Sequence, residues 1–339
     1  MTPFQRLFIA CLLSQGLAVP AMAAGQKSMG LTLPEPVGAT SACGPEETAA
    51  FNAALTAAAG QADLAALKRF ALDHPDSCYA AAAALNAALL LEQRGYYSQA
   101  LALFKLGWER GKGATKGLAY DYASRSGAEL AKLEGSVGMT SEIQSLLGLI
   151  QDRPMRGAAA HVRGEALAIR ELMQRHPEEA YKCGGNALEQ VDMALHHRPG
   201  ANPVARHPKV GSDGLTLKEM EALGKQAGVP VVAGRLAKEG SVPVPSVVLF
   251  KVGHYVAIVG ENKGSYELHD DVLRLRISVP RSLLDSESTG IYLAPEGHEP
   301  SMGWVRLLDR EKSALAGKGA APDPDWAFPP CLGVNSESC

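Results

Sequence analysis

At 339 residues, with 46% hydrophobic and 20% charged side chains, the chain has globular composition and the length of two ordinary domains. Its formal charge is −3, no block of like charge stands out, and only 6% of residues are aromatic. These values exclude the basic stripes and stacking platforms that nucleic acids or anionic membranes require.

The first residues read MTPFQRLFIACLLSQGLAVPAMAAG. Arg6 gives a short positive start, Leu7 to Val19 an apolar stretch, and Ala21-Met22-Ala23 a small-x-small cleavage pattern. Residues 1–24 therefore read as a signal peptide, and the mature protein is expected to be exported, periplasmic or secreted. No later segment is apolar enough for a membrane span. Residues 25–45, rich in Gly and Pro, read as a linker.

Cys11 lies in the leader, so the six cysteines become five (6 − 1) in the mature chain. Cysteines pair in an oxidising compartment, and an odd number leaves one thiol single. Pairing Cys43 with Cys78 and Cys331 with Cys339 leaves Cys183. A pairing of Cys43 or Cys78 with the tail satisfies the same arithmetic.

Residues 46–175 are rich in Ala and Leu, and apolar positions such as Leu64, Leu67, Phe70 and Leu72 recur at helical spacing. The run AALNAALLLEQRGYYSQALALFKLGWERG reads as helix, Gly turn, helix. Leu91, Gly95, Tyr97, Ala100 and Phe104 resemble the pattern of tetratricopeptide repeats, implying two to four degenerate helical hairpins; a plain helical bundle is the alternative. The texture changes near His176-Pro177. A helix over 185–196 is followed by a Pro-rich loop, and Thr216 opens another helix, LKEMEALGKQAG. Strands are expected at Val247–Phe250, His254–Val259, Tyr266–His269, Val272–Ser278 and Gly290–Ala294, with a hairpin turn at Glu261-Asn262-Lys263-Gly264. Helices first and an antiparallel sheet after define an α+β fold, with a second domain over 176–312 and a loop-like tail over 313–339.

A cysteine nucleophile needs a lowered pKa, a base within reach, and a group to orient that base. Cys183 precedes Gly184-Gly185 and the helical run NALEQVDMAL, so its sulfur is expected near a helix N-terminus, where the dipole favours thiolate. The two glycines would leave room for a substrate backbone. A buried structural cysteine is the competing reading of this motif alone. His254 begins a strand, and Asp270 lies sixteen residues on (270 − 254) at the end of the return strand. There a carboxylate can hold an imidazole in one tautomer.

KCGGNAL, GHYVAIV, that Asp and GLTLKEMEALGKQAGV together resemble the bacteriocin-processing (double-glycine leader) cysteine peptidase family, over roughly Glu179 to Pro295. The resemblance implies a papain-like fold with Cys183 as nucleophile, His254 as general base and Asp270 as orienting carboxylate. Two positions depart from the family. Its oxyanion Gln lies six residues before the Cys, where this chain has Pro177; Gln174, nine before, is the remaining oxyanion candidate. Loss of such a donor costs on the order of 10²–10³ in rate. Asp271 stands where the family has Pro, so two adjacent carboxylates are available, and spacing favours Asp270.

The expected function is that of an exported cysteine peptidase acting on a peptide or protein, with the helical half binding a partner. An inactive peptide-binding module and a helical assembly scaffold are the alternatives. No cofactor is implied. The histidines His196, His197, His207 and His269 are scattered without a metal-ligand spacing, and His196-His197 reads as a helix C-terminal dipole partner.

Overall fold

The computed structural model describes residues 43–59, 65–197 and 202–320. The expected signal peptide, most of the linker, Leu64, and the tail cysteines Cys331 and Cys339 lie outside the described residues.

Seven helices come first: α1 (Pro45–Ala59), α2 (Ala66–Asp73), α3 (Ala80–Glu92), α4 (Tyr97–Gly111), α5 (Gly117–Ser136), α6 (Thr140–Ile150) and α7 (Gly157–Arg175). Each packs against the next, and α1, α3, α5 and α7 also touch in succession, forming an inner row. The sequence explains the row. In α3, Ala80 to Ala84, Leu85, Ala87, Ala88 and Leu90 are buried, so small side chains cover the helix on every side. Between α4 and α5, a Cβ on Gly107 would lie 2.4 Å from Ser126 Oγ and one on Gly127 2.9 Å from the Trp108 ring. Only glycine lets these helices approach so closely. A disulfide joins Cys43 to Cys78, tying the start of α1 to the start of α3. Cys183 is the free cysteine among the described residues.

A short α8 (Pro177–Ala180), α9 (Cys183–His196) and α10 (Pro203–Arg206) lead to β1 (Leu215–Thr216) and α11 (Leu217–Gln226). Thr216 and Glu219 form a reciprocal capping box that starts α11 where the sequence placed it. Then follow β2 (Val231–Leu236), β3 (Ser246–Phe250), β4 (His254–Asn262), β5 (Ser265–Asp270), β6 (Leu275–Pro280), α12 (Arg281–Glu287), β7 (Ser288–Pro295), β8 (Trp304–Arg306), α13 (Asp309–Ala314) and β9 (Ala316–Gly317). Seven strands form one antiparallel sheet in the order β6-β5-β4-β3-β7-β2-β8, and β1 pairs with β9. The fold is therefore mixed helix and sheet with antiparallel pairing, in agreement with the α+β expectation. Among the described residues, no helix is long and apolar enough to cross a membrane.

The sheet is buried on both sides at its centre. One face carries Val248, Phe250, Val256, Ile258 and Tyr292, packed with Leu283, Leu284 and the helical half's Tyr97. The other face of β3 and β4 receives α9. The helical half and the sheet belong to one compact unit. The first turn of α4 docks on the end of α12 through Ser98, whose N–H and Oγ–H donate to the buried Glu287 at 2.8 and 2.9 Å.

Several elements depart from the sequence reading, among them the following. The strand expected from Val272 starts at Leu275, because Asp270 Oδ1 accepts the N–H groups of Val272 (3.0 Å) and Leu273 (3.1 Å) and holds them in a turn. The strand β2 was not anticipated: VVAGRL is buried at five of its six positions and lacks the alternation that marks a half-exposed strand. Helix α12 was also missed. The tail, expected to be loop from 313 onward, instead forms the end of α13 and then β9 up to Gly317.

Candidate active site

Helix α9 begins at Cys183 itself, so the sulfur sits in the first turn, among N–H groups without helical partners. Cys183 is 1% exposed. The two glycines that follow serve packing rather than access. A Cβ on Gly184 would lie 2.6 Å from Met220 Sδ and 3.2 Å from the Tyr255 ring; one on Gly185 would lie 2.3 Å from the Ala205 carbonyl oxygen. They let α9 settle on α11 and β4 through Gly184 and on α10 through Gly185, and do not leave room for a substrate backbone as the sequence suggested.

His254 is the first residue of β4, entered through Gly253 at φ +72°. Antiparallel pairing of β4 with β5 brings Asp270 beside it. His254 Nε2 lies 2.8 Å from Asp270 Oδ2, with both side chains essentially inaccessible to solvent. Opposite an acceptor-only carboxylate, Nε2 must carry the proton, which leaves Nδ1 facing Cys183. Nδ1 is buried without a hydrogen bond of normal geometry, but Cys183 is near enough to act on its charge. Burial opposes protonation of the ring. Asp270 first and Cys183 second outweigh that, and the His254 pKa rises to about 10.

Asp270 accepts four hydrogen bonds: from His254, from Val272 N and Leu273 N, and from Tyr97 Oη–H at 3.0 Å. Burial alone would raise its pKa, but the His254 charge and these donors bring it below the ordinary carboxylate value. Asp271 turns away. Its Oδ2 accepts from Gln190 Nε2 at 2.9 Å, and Gln190 Oε1 pairs with His269 Nδ1 at 3.0 Å. The geometry thus selects Asp270 over Asp271 as the partner of His254.

Gln174 is exposed in the last turn of α7 and makes no hydrogen bond to Cys183, His254 or Asp270. The structure does not bring it to the other three. Pro177 opens α8 at a first-turn position, where its missing N–H costs nothing. His196, in the last turn of α9, pairs through Nδ1 with Asp192 Oδ1 at 2.7 Å, a contact within the helix.

Two participants escaped the sequence reading. Tyr97 was noted only for its place in a helical hairpin, yet it donates to Asp270 and stands edge-on to the His254 ring with centroids 6.2 Å apart. Nothing in the sequence links positions 97 and 270. Gly319 is the second: its N–H donates to Cys183 Sγ at 3.1 Å. The alternating glycines of Ala316-Gly317-Lys318-Gly319-Ala320 were the available signal.

Comparison of the chain with protein-family models, with curated proteins and with solved structures finds no match.

Proposed function

We propose that this chain is a cysteine peptidase with a papain-like catalytic half. The observation that carries the reading is the buried His254–Asp270 pair at 2.8 Å with Nδ1 turned to a helix-terminal thiol. A cationic imidazole beside Cys183 sets a proton donor next to a sulfur nucleophile. In the reaction, Cys183 Sγ bonds to a peptide carbonyl carbon. The carbon–nitrogen bond breaks as His254 Nδ1 gives its proton to the leaving amine, and water then hydrolyses the thioester. Asp270 keeps the ring oriented throughout.

The leader-like N-terminus supports an exported, periplasmic or secreted location, and the Cys43–Cys78 disulfide fits an oxidising compartment. The inner row of α1, α3, α5 and α7 supports tetratricopeptide-like hairpins that hold a protein partner. A peptide-binding module without catalysis is the second reading, favoured by Pro177 at the family's Gln position and by the exposure of Gln174.

The test is reaction of the folded chain with a small alkylating agent across pH 5 to 9, followed by peptide-library digestion. The expected result is Cys183 labelling that is lost in His254→Ala and accompanies new peptide termini absent from Cys183→Ala. Labelling indifferent to His254, with no termini that depend on Cys183, would sink the peptidase.

A further inference from the structure

The segment from Leu315 to Ala320 runs through the candidate active site as an added strand. Gly317 and Ala316 pair with Leu215 and Thr216, and Leu217 N–H donates to the Leu315 carbonyl at 2.9 Å. Beyond the pairing, three consecutive N–H groups go to three different elements. Lys318 N–H reaches the Gly253 carbonyl beside His254 at 2.8 Å, Gly319 N–H reaches Cys183 Sγ at 3.1 Å, and Ala320 N–H reaches the Ser136 carbonyl at the end of α5 at 2.8 Å. Backbone pairing with pockets for alternate side chains is how clefts bind extended peptides.

The alternate positions accept only glycine. A Cβ on Gly317 would lie 2.4 Å from the Tyr255 ring. One on Gly319 would lie 2.0 Å from His254 Nδ1 and 2.9 Å from Cys183 Cβ. The residue between them is read differently. Lys318 Nζ stands 5.2 Å from the centre of the Tyr181 ring and 4.0 Å from Asp213 Oδ1, a cation-π contact and a weak ion pair.

An amide N–H bond lies in its peptide plane, so a sulfur that accepts it lies near that plane. Attack on a carbonyl carbon comes from above the plane, with orbitals aligned. Gly319 N–H on Cys183 Sγ is therefore the contact of an occupant that blocks the thiol, not of a bond about to be cut.

We infer that this cleft takes extended peptides of the form glycine–basic residue–glycine, and that Gly317-Lys318-Gly319 fills it in cis as a built-in competitive inhibitor. The inference rests on Cys183 and His254 as the reactive pair but not on turnover.

The test uses the full chain with Gly319→Val, whose side chain has no space beside His254 Nδ1, and with Lys318→Glu, which reverses the charge toward Tyr181 and Asp213. Alkylation of Cys183 is timed by mass spectrometry, and circular dichroism checks the fold. An open form a few kcal/mol above the closed one is populated at roughly 0.1–10%, so Gly319→Val should label about 10- to 1000-fold faster than wild type, and Lys318→Glu measurably faster. Adding the peptide Leu-Ala-Gly-Lys-Gly-Ala to Gly319→Val should restore protection, and the same peptide with Val for its second Gly should not. If Gly319→Val does not fold, Lys318→Glu and its response to the two peptides decide alone. Unchanged labelling in the folded variants, or equal protection by both peptides, overturns the inference. Opening and glycine-selective protection without cleavage of any peptide would uphold it while the peptidase reading fails.

Discussion

Replacing Tyr97 by Phe removes one oxygen from the interface between the helical half and the sheet. The ring keeps its place against Phe250 (centroids 5.7 Å apart) and His254, so no cavity opens. What goes is the Oη–H donor to Asp270 Oδ2 at 3.0 Å. A hydrogen bond to a buried charged group contributes about 1.5–3 kcal/mol. Asp270 keeps His254, Val272 N and Leu273 N as donors, so the loss should fall near the lower end, about 1.5–2 kcal/mol. Ionisation adds a signature that a packing effect lacks. Burial opposes the Asp270 charge, but His254 and the donors hold its pKa below the ordinary value. The stability this brings is present above the unfolded pKa, about 3.9, and is lost as pH falls through the lower folded value. Without Tyr97 the folded pKa moves up, so the deficit is largest at neutral pH and shrinks in acid. Urea titrations of both proteins from pH 7 down to pH 3, followed by circular dichroism, measure it. A deficit below about 0.5 kcal/mol at pH 7, or one that grows as pH falls toward 3, would refute the reasoning.

His254 gives the opposite slope. Its folded pKa, raised to about 10 by Asp270 and Cys183 against burial, exceeds the unfolded value near 6.5, so its stabilisation is full below pH 6.5 and lost as pH rises through 10. Melting curves of wild type from pH 6 to 10.5 should fall, and Asp270→Asn should flatten that fall while costing about 3–5 kcal/mol at pH 7 through the unpaired buried partner. The Cys43–Cys78 link closes a sequence separation of 35 residues. Chain-entropy arithmetic for such a loop gives about 4 kcal/mol. A Cys43→Ala, Cys78→Ala double variant should lose that much in urea titration and respond to reductant far less than wild type does.

Much of the site was legible because its parts follow from local rules. A Cys before a helical run, a Gly-His at a strand start and a hairpin turn of Lys263-Gly264, with φ +51° and +81°, are each set by near neighbours. An antiparallel hairpin then makes the meeting of positions 254 and 270 a matter of counting. Counting erred just past Asp270, where a side chain captured two backbone amides that the alternation pattern had assigned to a strand.

The sequence by itself therefore determined the helices-then-sheet order, the Cys43–Cys78 pairing as one of its alternatives, and the trio Cys183, His254 and Asp270. Tertiary structure alone decided what surrounds them. Tyr97 reaches Asp270 from 173 residues away, and Gly319 reaches Cys183 from 136 away. Such contacts depend on how whole layers pack, and no periodicity or local propensity records them. The same holds for Gly184 and Gly185, whose role follows from the Met220, Tyr255 and Ala205 atoms pressed against them. Local chemistry wrote Cys183, His254 and Asp270 into the chain; packing set which backbone lies across them.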